Sequence, residues 1–432
     1  MIRLLFLFSL AVFILYASFS ELTELYMYEQ LMVKVSVTFI LIFSFIIIAR
    51  YFLLLLLSIL NLYKHSKNPK TRKTVHNKMV SVIVPCYNEE MVIQSSLKSL
   101  INQTYKNYEI IVIDDGSSDK THLISKSMEF TENSKRLVAY TKPNSGKANS
   151  LNFGIEKAKG ELILTVDADS KLSANAIELM TEYFDDPEVG AVAGSVYVTN
   201  KTTIWTKLQA LEYVQGLNLV RNGQAFLKLV NIIPGPIGMF KKSAILEVGG
   251  YQNDTFAEDC ELTLNLINKN YKIDYEIDAI SYTEAPEDLT DLLKQRYRWT
   301  RGILQSIRKH KDRLWRFHSN FSMSMVMWYM LFEAIMWPFA FVFANIFMLY
   351  VGITTGYNSM FIYWWLIFTV LDVSASLYCV SVTKENIRLV LYAFYYRIFF
   401  INIINVAKIF ATIEEFNGVS MSWGKLDRKG RI

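Results

Sequence analysis

Asp167 and Asp169 stand either side of Ala168, directly after the apolar run 161–166. In extended backbone, residues two apart point the same way. Two neighbouring carboxylates repel unless a cation or hydrogen-bond donors stand between them. A hard divalent ion that also takes phosphate oxygens satisfies such a pair; a solvated helix cap ahead of Ser170 is the alternative. Asp114 and Asp115 form a second acidic site in the turn Asp-Asp-Gly-Ser-Ser-Asp, where ordinary turn chemistry competes. Glu258 and Asp259 form a third, ahead of the helical-looking run 262–268, where capping competes. Lys147 lies in the polar run Asn-Ser-Gly-Lys-Ala at 144–148, at a predicted helix start, which suits a phosphate. The run lacks the full Gly-x-x-x-x-Gly-Lys-Ser/Thr pattern and is no P-loop. Gln295, Arg298 and Trp299, spaced Q-x-x-R-W, fall within about one and a half helical turns. They can bring to one point a guanidinium that grips a diphosphate and an indole that walls a sugar. A plain membrane-surface helix is the competing reading of this basic, aromatic stretch.

The elements that must position these groups follow from the pattern. Short β-branched runs at 80–84, 108–113, 137–141 and 161–166 alternate with helical stretches at 89–101, 121–130 and 147–158. That alternation predicts a largely parallel sheet with helices on both faces. Ligands of such sheets bind outside the carboxyl ends of the strands, which is where the polar clusters fall. Residues 205–220 read as a helix, and Pro-Gly-Pro at 234–236 reads as a turn or plain loop.

The chain has 432 residues, 52% of them hydrophobic and 14% aromatic, too apolar for an ordinary soluble protein of this size. Runs 2–19 and 31–62 are long enough to span a membrane and form a predicted hairpin. Their connecting loop carries Glu21, Glu24 and Glu29 and no Lys or Arg, whereas 64–78 is strongly basic. The positive-inside rule then puts the N-terminus and everything from Lys64 on in the cytoplasm. Runs 323–351 and 361–382 span, with Glu333 and Asp372 inside them. Such groups line a polar pathway or pair with Arg397 or Lys408. Residues 387–413 are long enough to span but contain Arg397, Asn402, Asn405 and Lys408. We read them as re-entrant or interface-bound, because the following tail is basic. The net charge of +5 does not call for nucleic acid. Cys86, Cys260 and Cys379 show neither disulfide nor zinc spacing.

Five motifs in this order, Val-Pro-Cys-Tyr-Asn-Glu, Asp-Asp-Gly-Ser-Ser-Asp, Asp-Ala-Asp, Ala-Glu-Asp and Gln-Arg-Tyr-Arg-Trp, resemble those of family 2 glycosyltransferases. The resemblance is to the membrane-embedded processive synthases, such as poly-N-acetylglucosamine and hyaluronan synthases, and covers roughly 80–302. It departs at Ala257, where Thr, Ser or Gly is more usual. The resemblance implies a GT-A-type α/β domain inserted between transmembrane helices, with interfacial amphipathic helices. The implied divisions are a hairpin at 1–63, a basic linker at 64–78, the GT-A domain at 79–288, an interfacial segment at 289–318, a transmembrane or re-entrant region at 319–413 and a basic cytoplasmic tail at 414–432. By position, Tyr87 and Glu89 hold the uridine, Asp114 and Asp115 read the uracil, and Lys147 contacts the diphosphate. Asp167 and Asp169 hold Mg²⁺ or Mn²⁺, with Asp169 the direct ligand. Asp259, with Glu258 beside it, is the catalytic base. Gln295, Arg298 and Trp299 bind the diphosphate and frame the acceptor sugar. The implied activity is inverting polymerisation from a UDP-sugar, UDP-GlcNAc foremost, into a β-linked polysaccharide extruded across the plasma membrane. Transfer of one sugar to a lipid and hyaluronan-type synthesis from two UDP-sugars are the alternatives. The implied partners are the UDP-sugar, the growing polysaccharide, membrane lipids and a small membrane accessory subunit.

Overall fold

The computed structural model describes residues 30–67, 78–132, 135–356, 359–420 and 430. The first predicted spanning run, most of the basic linker and most of the tail lie outside the described residues. One nine-stranded sheet dominates, in the order β3-β4-β2-β1-β5-β8-β7-β9-β6. Its strands are β1 (Val80–Cys86), β2 (Tyr108–Asp114), β3 (Phe130–Glu132), β4 (Lys135–Thr141), β5 (Leu162–Thr165), β6 (Ser170–Leu172), β7 (Val189–Val198), β8 (Gly238–Lys241) and β9 (Lys272–Thr283). β1 and β2 are buried along their whole length, as strands covered by helices on both faces must be. β4, β2, β1 and β5 run parallel, as the alternating pattern predicts.

The sheet is more mixed than predicted, because β3, β6 and β8 run antiparallel to their neighbours. β8 has the clearest consequence. Gly238 pairs with Thr165 and Lys241 with Leu162, so β8 begins where β5 ends. The Pro-Gly-Pro turn just before it is thereby delivered to the carboxyl edge of the parallel strands. Strands this short carry no readable alternation, so the sequence alone does not show their direction.

The helices of this domain are α1 (Leu31–Lys67), which leads into it, then α2 (Ile93–Ile101), α3 (Thr121–Ser127), α4 (Lys147–Lys157) and α5 (Ala176–Thr181). α6 (Ile204–Glu212) and α7 (Leu219–Phe226) are joined by a π-helical turn, Tyr213–Asn218. α8 (Lys242–Glu247), α9 (Glu258–Asn268) and α10 (Leu289–Lys309) follow. The predicted helix over 89–101 starts only at Ile93, because the preceding turn bonds elsewhere: the Glu89 amide donates to Thr121 Oγ1 at 2.7 Å.

The rest of the chain is helical. α11 (Phe321–Leu331) and α12 (Trp337–Thr355) flank a π turn, Phe332–Met336, and α13 (Ser359–Thr383) returns. The stretch after Asn386 comprises a 3₁₀ turn (Ile387–Tyr392), α14 (Ala393–Tyr395), a π turn (Tyr396–Phe400) and α15 (Ile401–Phe416). Among the described residues, four stretches, Leu31–Lys67, Phe321–Thr355, Ile362–Thr383 and Ile387–Phe416, are long and apolar enough to cross a membrane. The first three pack through Val37, Ile40, Phe341, Trp364 and Phe368, with Ile401 of the fourth against them, while Phe45, Leu53, Leu349 and Ile353 stay exposed. Helices apolar on all sides suit a lipid surround.

The ends of these stretches differ. Asn61, near the end of α1, donates to Asn222 at 2.7 Å. Asn320, just before α11, donates to the Asn268 carbonyl at 3.1 Å. The last stretch touches the sheet domain at both ends, through Glu385 with Lys201 and Glu415 with Arg301, the latter at 2.7 Å.

The two carboxylates within the candidate spans, Glu333 and Asp372, have partners. Asp372 pairs with Arg397 at 2.6 Å and accepts from Tyr51 at 2.7 Å. Glu333 pairs with Arg50 of α1, not with Arg397 or Lys408. The expected pairing holds for Asp372 and fails for Glu333, because α1 packs along α12 and brings Arg50 to its level. Removing one partner of a pair as buried as Asp372 and Arg397 costs about 3–5 kcal/mol.

Candidate active site

Three loops at the carboxyl ends of β1, β2 and β4 are bonded to one another. The Asp115 amide donates to the Cys86 carbonyl at 2.8 Å, and the Ser118 amide to Asn88 Oδ1 at 2.8 Å. Asn88 sits at φ 54, a left-handed geometry that asparagine tolerates well. Tyr87 projects from this loop, 43% exposed, and Glu89 is half-buried beside it. Asp114 is buried and accepts from Thr141 Oγ1 at 2.9 Å. Asp115 is buried too; it pairs with Lys142 and accepts the amides of Ser145 at 3.0 Å and Gly146 at 2.9 Å. Both carboxylates thus hold the loop that carries Lys147.

Lys147 is the first residue of α4, after Gly146 at φ 92. Its ammonium lies 2.6 Å from Asp167 and 3.0 Å from Glu258. Burial works to lower its pKa, but the charges of Asp167 and Glu258 outweigh burial and hold it well above the ordinary lysine range. Asp259 Oδ2 accepts the Gly235 amide at 3.3 Å. A Cβ at Gly235 would lie 2.9 Å from both Asp167 Oδ2 and Lys147 Nζ, so any larger residue in this turn displaces the ends of those two side chains. The Asp259 carboxyl is pushed up to about 6, first by burial and then by Glu258, against the opposing pull of Lys147. A carboxylate poised near neutrality suits a general base. A pocket lined by Lys147, Asp167, Gly235, Tyr251, Glu258 and Asp259 opens here.

The Q-x-x-R-W residues lie on α10, one unbroken helix. α10 docks against the acidic loop: a Cβ at Gly302 would meet Ala257 Cβ at 2.6 Å, and Gln305 Oε1 accepts the Phe256 amide at 3.0 Å. Gln295 is buried and accepts from Arg296 at 2.9 Å; Arg298 and Trp299 are half-buried. Trp299 faces Tyr213 with ring centroids 6.5 Å apart.

Sequence reasoning missed three residues. Arg296 lies inside the motif, pairs with Glu212 and stacks over Trp299 at 4.2 Å. Glu212 is a lone acid at the end of an apolar helix, a signal that was available. Lys142 is a loop lysine with no local mark.

Asp169 is buried in the turn after β5, and its Oδ1 accepts from Ser170 Oγ at 3.3 Å. Among the described residues, no three His, Cys, Asp or Glu side chains gather as a metal cage. An ion held through Asp167 and Asp169 would have to take its remaining ligands from a diphosphate and water, the habit of Mg²⁺ and Mn²⁺ at nucleotide sites.

Residues 81–249 match the sequence model of Glycosyl transferase family 2. The chain is 37% identical over 225 residues to a poly-beta-1,6-N-acetyl-D-glucosamine synthase of Staphylococcus aureus strain COL, covering 52% of this chain and 54% of that protein. A protein of the same name from Staphylococcus epidermidis is 37% identical over 224 residues, with the same coverage. The chain thus matches about half the length of these curated relatives. A mannosyltransferase from Pyrobaculum calidifontis, solved in complex with GDP-Man and Mn²⁺, superposes with a TM-score of 0.59 at 18% identity, over 85% of this chain and 100% of that one. That likeness shows a shared fold.

Proposed function

We propose that this chain, which carries a glycosyl transferase family 2 domain over residues 81–249, polymerises N-acetylglucosamine from UDP-GlcNAc into a β-linked polysaccharide at a membrane. The observation that carries this reading is the convergence of Lys147, Asp167, Glu258 and Asp259 under Gly235, with the Q-x-x-R-W helix docked on the same loop. The likeness of half the chain to poly-β-1,6-N-acetylglucosamine synthases supports the donor and the product.

The residue roles follow from chemistry. Tyr87, Glu89 and the loop held by Asp114 and Asp115 take the uridine. Lys147 and Arg298 offset the charge that grows on the diphosphate as it leaves. Asp167 and Asp169 would hold the divalent ion, which would supply further positive charge to the diphosphate. Asp259 takes the proton of the acceptor hydroxyl. The acceptor oxygen then forms its bond to the sugar's anomeric carbon as the bond to the phosphate oxygen breaks, and UDP departs. One attack from the opposite face inverts the anomeric centre. Glu258 holds Lys147 in place, and Trp299 walls the acceptor sugar.

The membrane arrangement rests on the helix ends. We place the sheet domain in the cytoplasm, the 289–318 segment at the interface and 387–416 along it. The growing polymer then starts at the membrane surface and leaves between the helices.

Metal removal tests the reading directly. With EDTA, UDP affinity measured by calorimetry and UDP release are both expected to fall at least about tenfold, a shift of about 1.4 kcal/mol. Mn²⁺ or Mg²⁺ restores both, and Asp169→Asn abolishes the restoration. Full turnover in EDTA removes the metal and the Asp-Ala-Asp pair from the account.

A further inference from the structure

The amino edge of the parallel strands, opposite the acidic loops, carries a cavity that the proposed reaction does not use. Lys78 stands just ahead of β1. Lys241 closes β8 and pairs with Leu162, the first residue of β5. Lys242, the first residue of α8, donates its amide to the Glu161 carbonyl at 2.9 Å. The three lysines line a cavity of about 390 Å³ together with Glu161, Phe184 and Leu246.

The ammonium groups are held against the backbone instead of trailing into solvent. Lys78 Nζ donates to the Phe184 carbonyl at 2.8 Å, and Lys241 Nζ to the Pro187 carbonyl at 2.5 Å. Those carbonyls are three residues apart, so the turn that bears them spans at most about 11 Å. Lys242 Nζ donates to the Ala158 carbonyl at 2.7 Å. A carbonyl orients an ammonium but carries no net charge to offset it, and each ammonium has further donors to give. Asp185 reaches Lys78 at 3.4 Å, and the Glu161 side chain is exposed at the rim. Among the described residues, Lys241 and Lys242 are paired with carbonyls and with no carboxylate. Burial and the neighbouring Lys78 charge hold Lys241 below the ordinary lysine range, against the weaker pull of Asp186. Half-buried like charges with so little counter-charge repel one another, and an incoming anion relieves that repulsion. The apolar wall formed by Leu162, Phe184 and Leu246 suits the uncharged part of an organic anion.

We propose that this cavity binds a phosphate ester, with its phosphate on Lys78, Lys241 and Lys242 and its organic part against Phe184 and Leu246. Ammonium-to-phosphate bonds are charge-assisted and among the stronger hydrogen bonds available. Two sources present that chemistry. One is a soluble organic phosphate. The other is an anionic lipid headgroup, since His65 in the last turn of α1 lies 6.1 Å, ring to ring, from Tyr183, the neighbour of Phe184. The cavity stands at the opposite edge of the sheet from Asp259. Its occupant therefore does not compete with a nucleotide there, and the inference is independent of the transferase reading.

The test titrates glycerol 3-phosphate into the full-length protein in detergent by calorimetry, with UDP and Mg²⁺ present in excess to fill any nucleotide site. Saturable binding is expected in the wild type. Two variants are compared with it, each with its Tm. Lys241→Gln keeps a donor for the Pro187 carbonyl and removes the charge. Ser243→Glu leaves all three lysines in place and sets a carboxylate among them from an exposed position, so it keeps the test decisive should Lys241→Gln fold poorly. Affinity for glycerol 3-phosphate is expected to fall at least about tenfold in each, the effect of losing one good hydrogen bond to a charged group, while Tm holds. Repeating the titration in nanodiscs of phosphatidylcholine, with and without phosphatidylglycerol, separates the sources. Equal affinity in the two assigns the cavity to a soluble phosphate; weaker affinity with phosphatidylglycerol, lost in Ser243→Glu, assigns it to a lipid headgroup. A wild type with no saturable binding in detergent or phosphatidylcholine overturns the inference, and so does a Ser243→Glu protein of unchanged Tm that binds as the wild type does.

Discussion

Asp259→Asn is expected to lower sugar transfer by at least about two orders of magnitude, the scale of general-base catalysis, while UDP still binds. The substitution keeps the shape of the side chain, so the Gly235 amide at 3.3 Å retains an oxygen acceptor. It removes the one property the reaction needs, a carboxylate able to take a proton. The wild-type pH profile carries the same signature. A base works when deprotonated, and burial pushes the Asp259 carboxyl up to about 6. Transfer therefore rises with pH through about 6 and levels above it, as seen in kcat/KM, which reports the free enzyme. Asp259→Asn removes this limb. Calorimetry with UDP and a rate series from pH 5 to 8 check both parts (the range being about one to two units around the value above). Transfer that persists in the variant places the base elsewhere.

Lys147→Met is the second large effect. The ammonium bridges Asp167 at 2.6 Å and Glu258 at 3.0 Å, and the proposed reading sets it against the diphosphate. Methionine fills similar space without charge. Two consequences are expected together. The carboxylates that Lys147 bridged and neutralised now repel one another and any incoming diphosphate. The leaving group also loses a cation that offsets its growing charge. UDP affinity should fall at least about tenfold and transfer about a hundredfold or more, the range seen when one electrostatic stabiliser is removed. Arginine keeps the charge but not the fit under Gly235, so Lys147→Arg should recover binding more than rate. Unchanged UDP affinity in Lys147→Met contradicts the assignment of Lys147 to the diphosphate.

Much of this arrangement was legible in the chain itself. The β-branched runs predicted β1, β2, β4 and β5, since strands buried on both faces leave an apolar signature. Acidic clusters after strand ends predicted where polar groups gather, because parallel strands present their carboxyl ends to one edge. The spacing of Gln295, Arg298 and Trp299 predicted one helical face. The rest depends on contacts distant in sequence. β8 is four residues long, and its direction follows from which edge its loop must reach. Glu333 pairs with Arg50 because two helices run side by side, a depth match with no local trace. Arg296 read as one more basic residue among many, and its role emerges only with Glu212 and Trp299 around it.

The most direct measurement of the central claim is incorporation of labelled UDP-GlcNAc by the purified, full-length protein in detergent or vesicles with Mn²⁺ or Mg²⁺, with the product sized and UDP release counted alongside. The account predicts high-mass, β-linked product with one UDP released for each sugar incorporated, absent in Asp259→Asn. UDP release with no saccharide longer than a single transferred sugar, or activity equal in the Asp259→Asn protein, would contradict it.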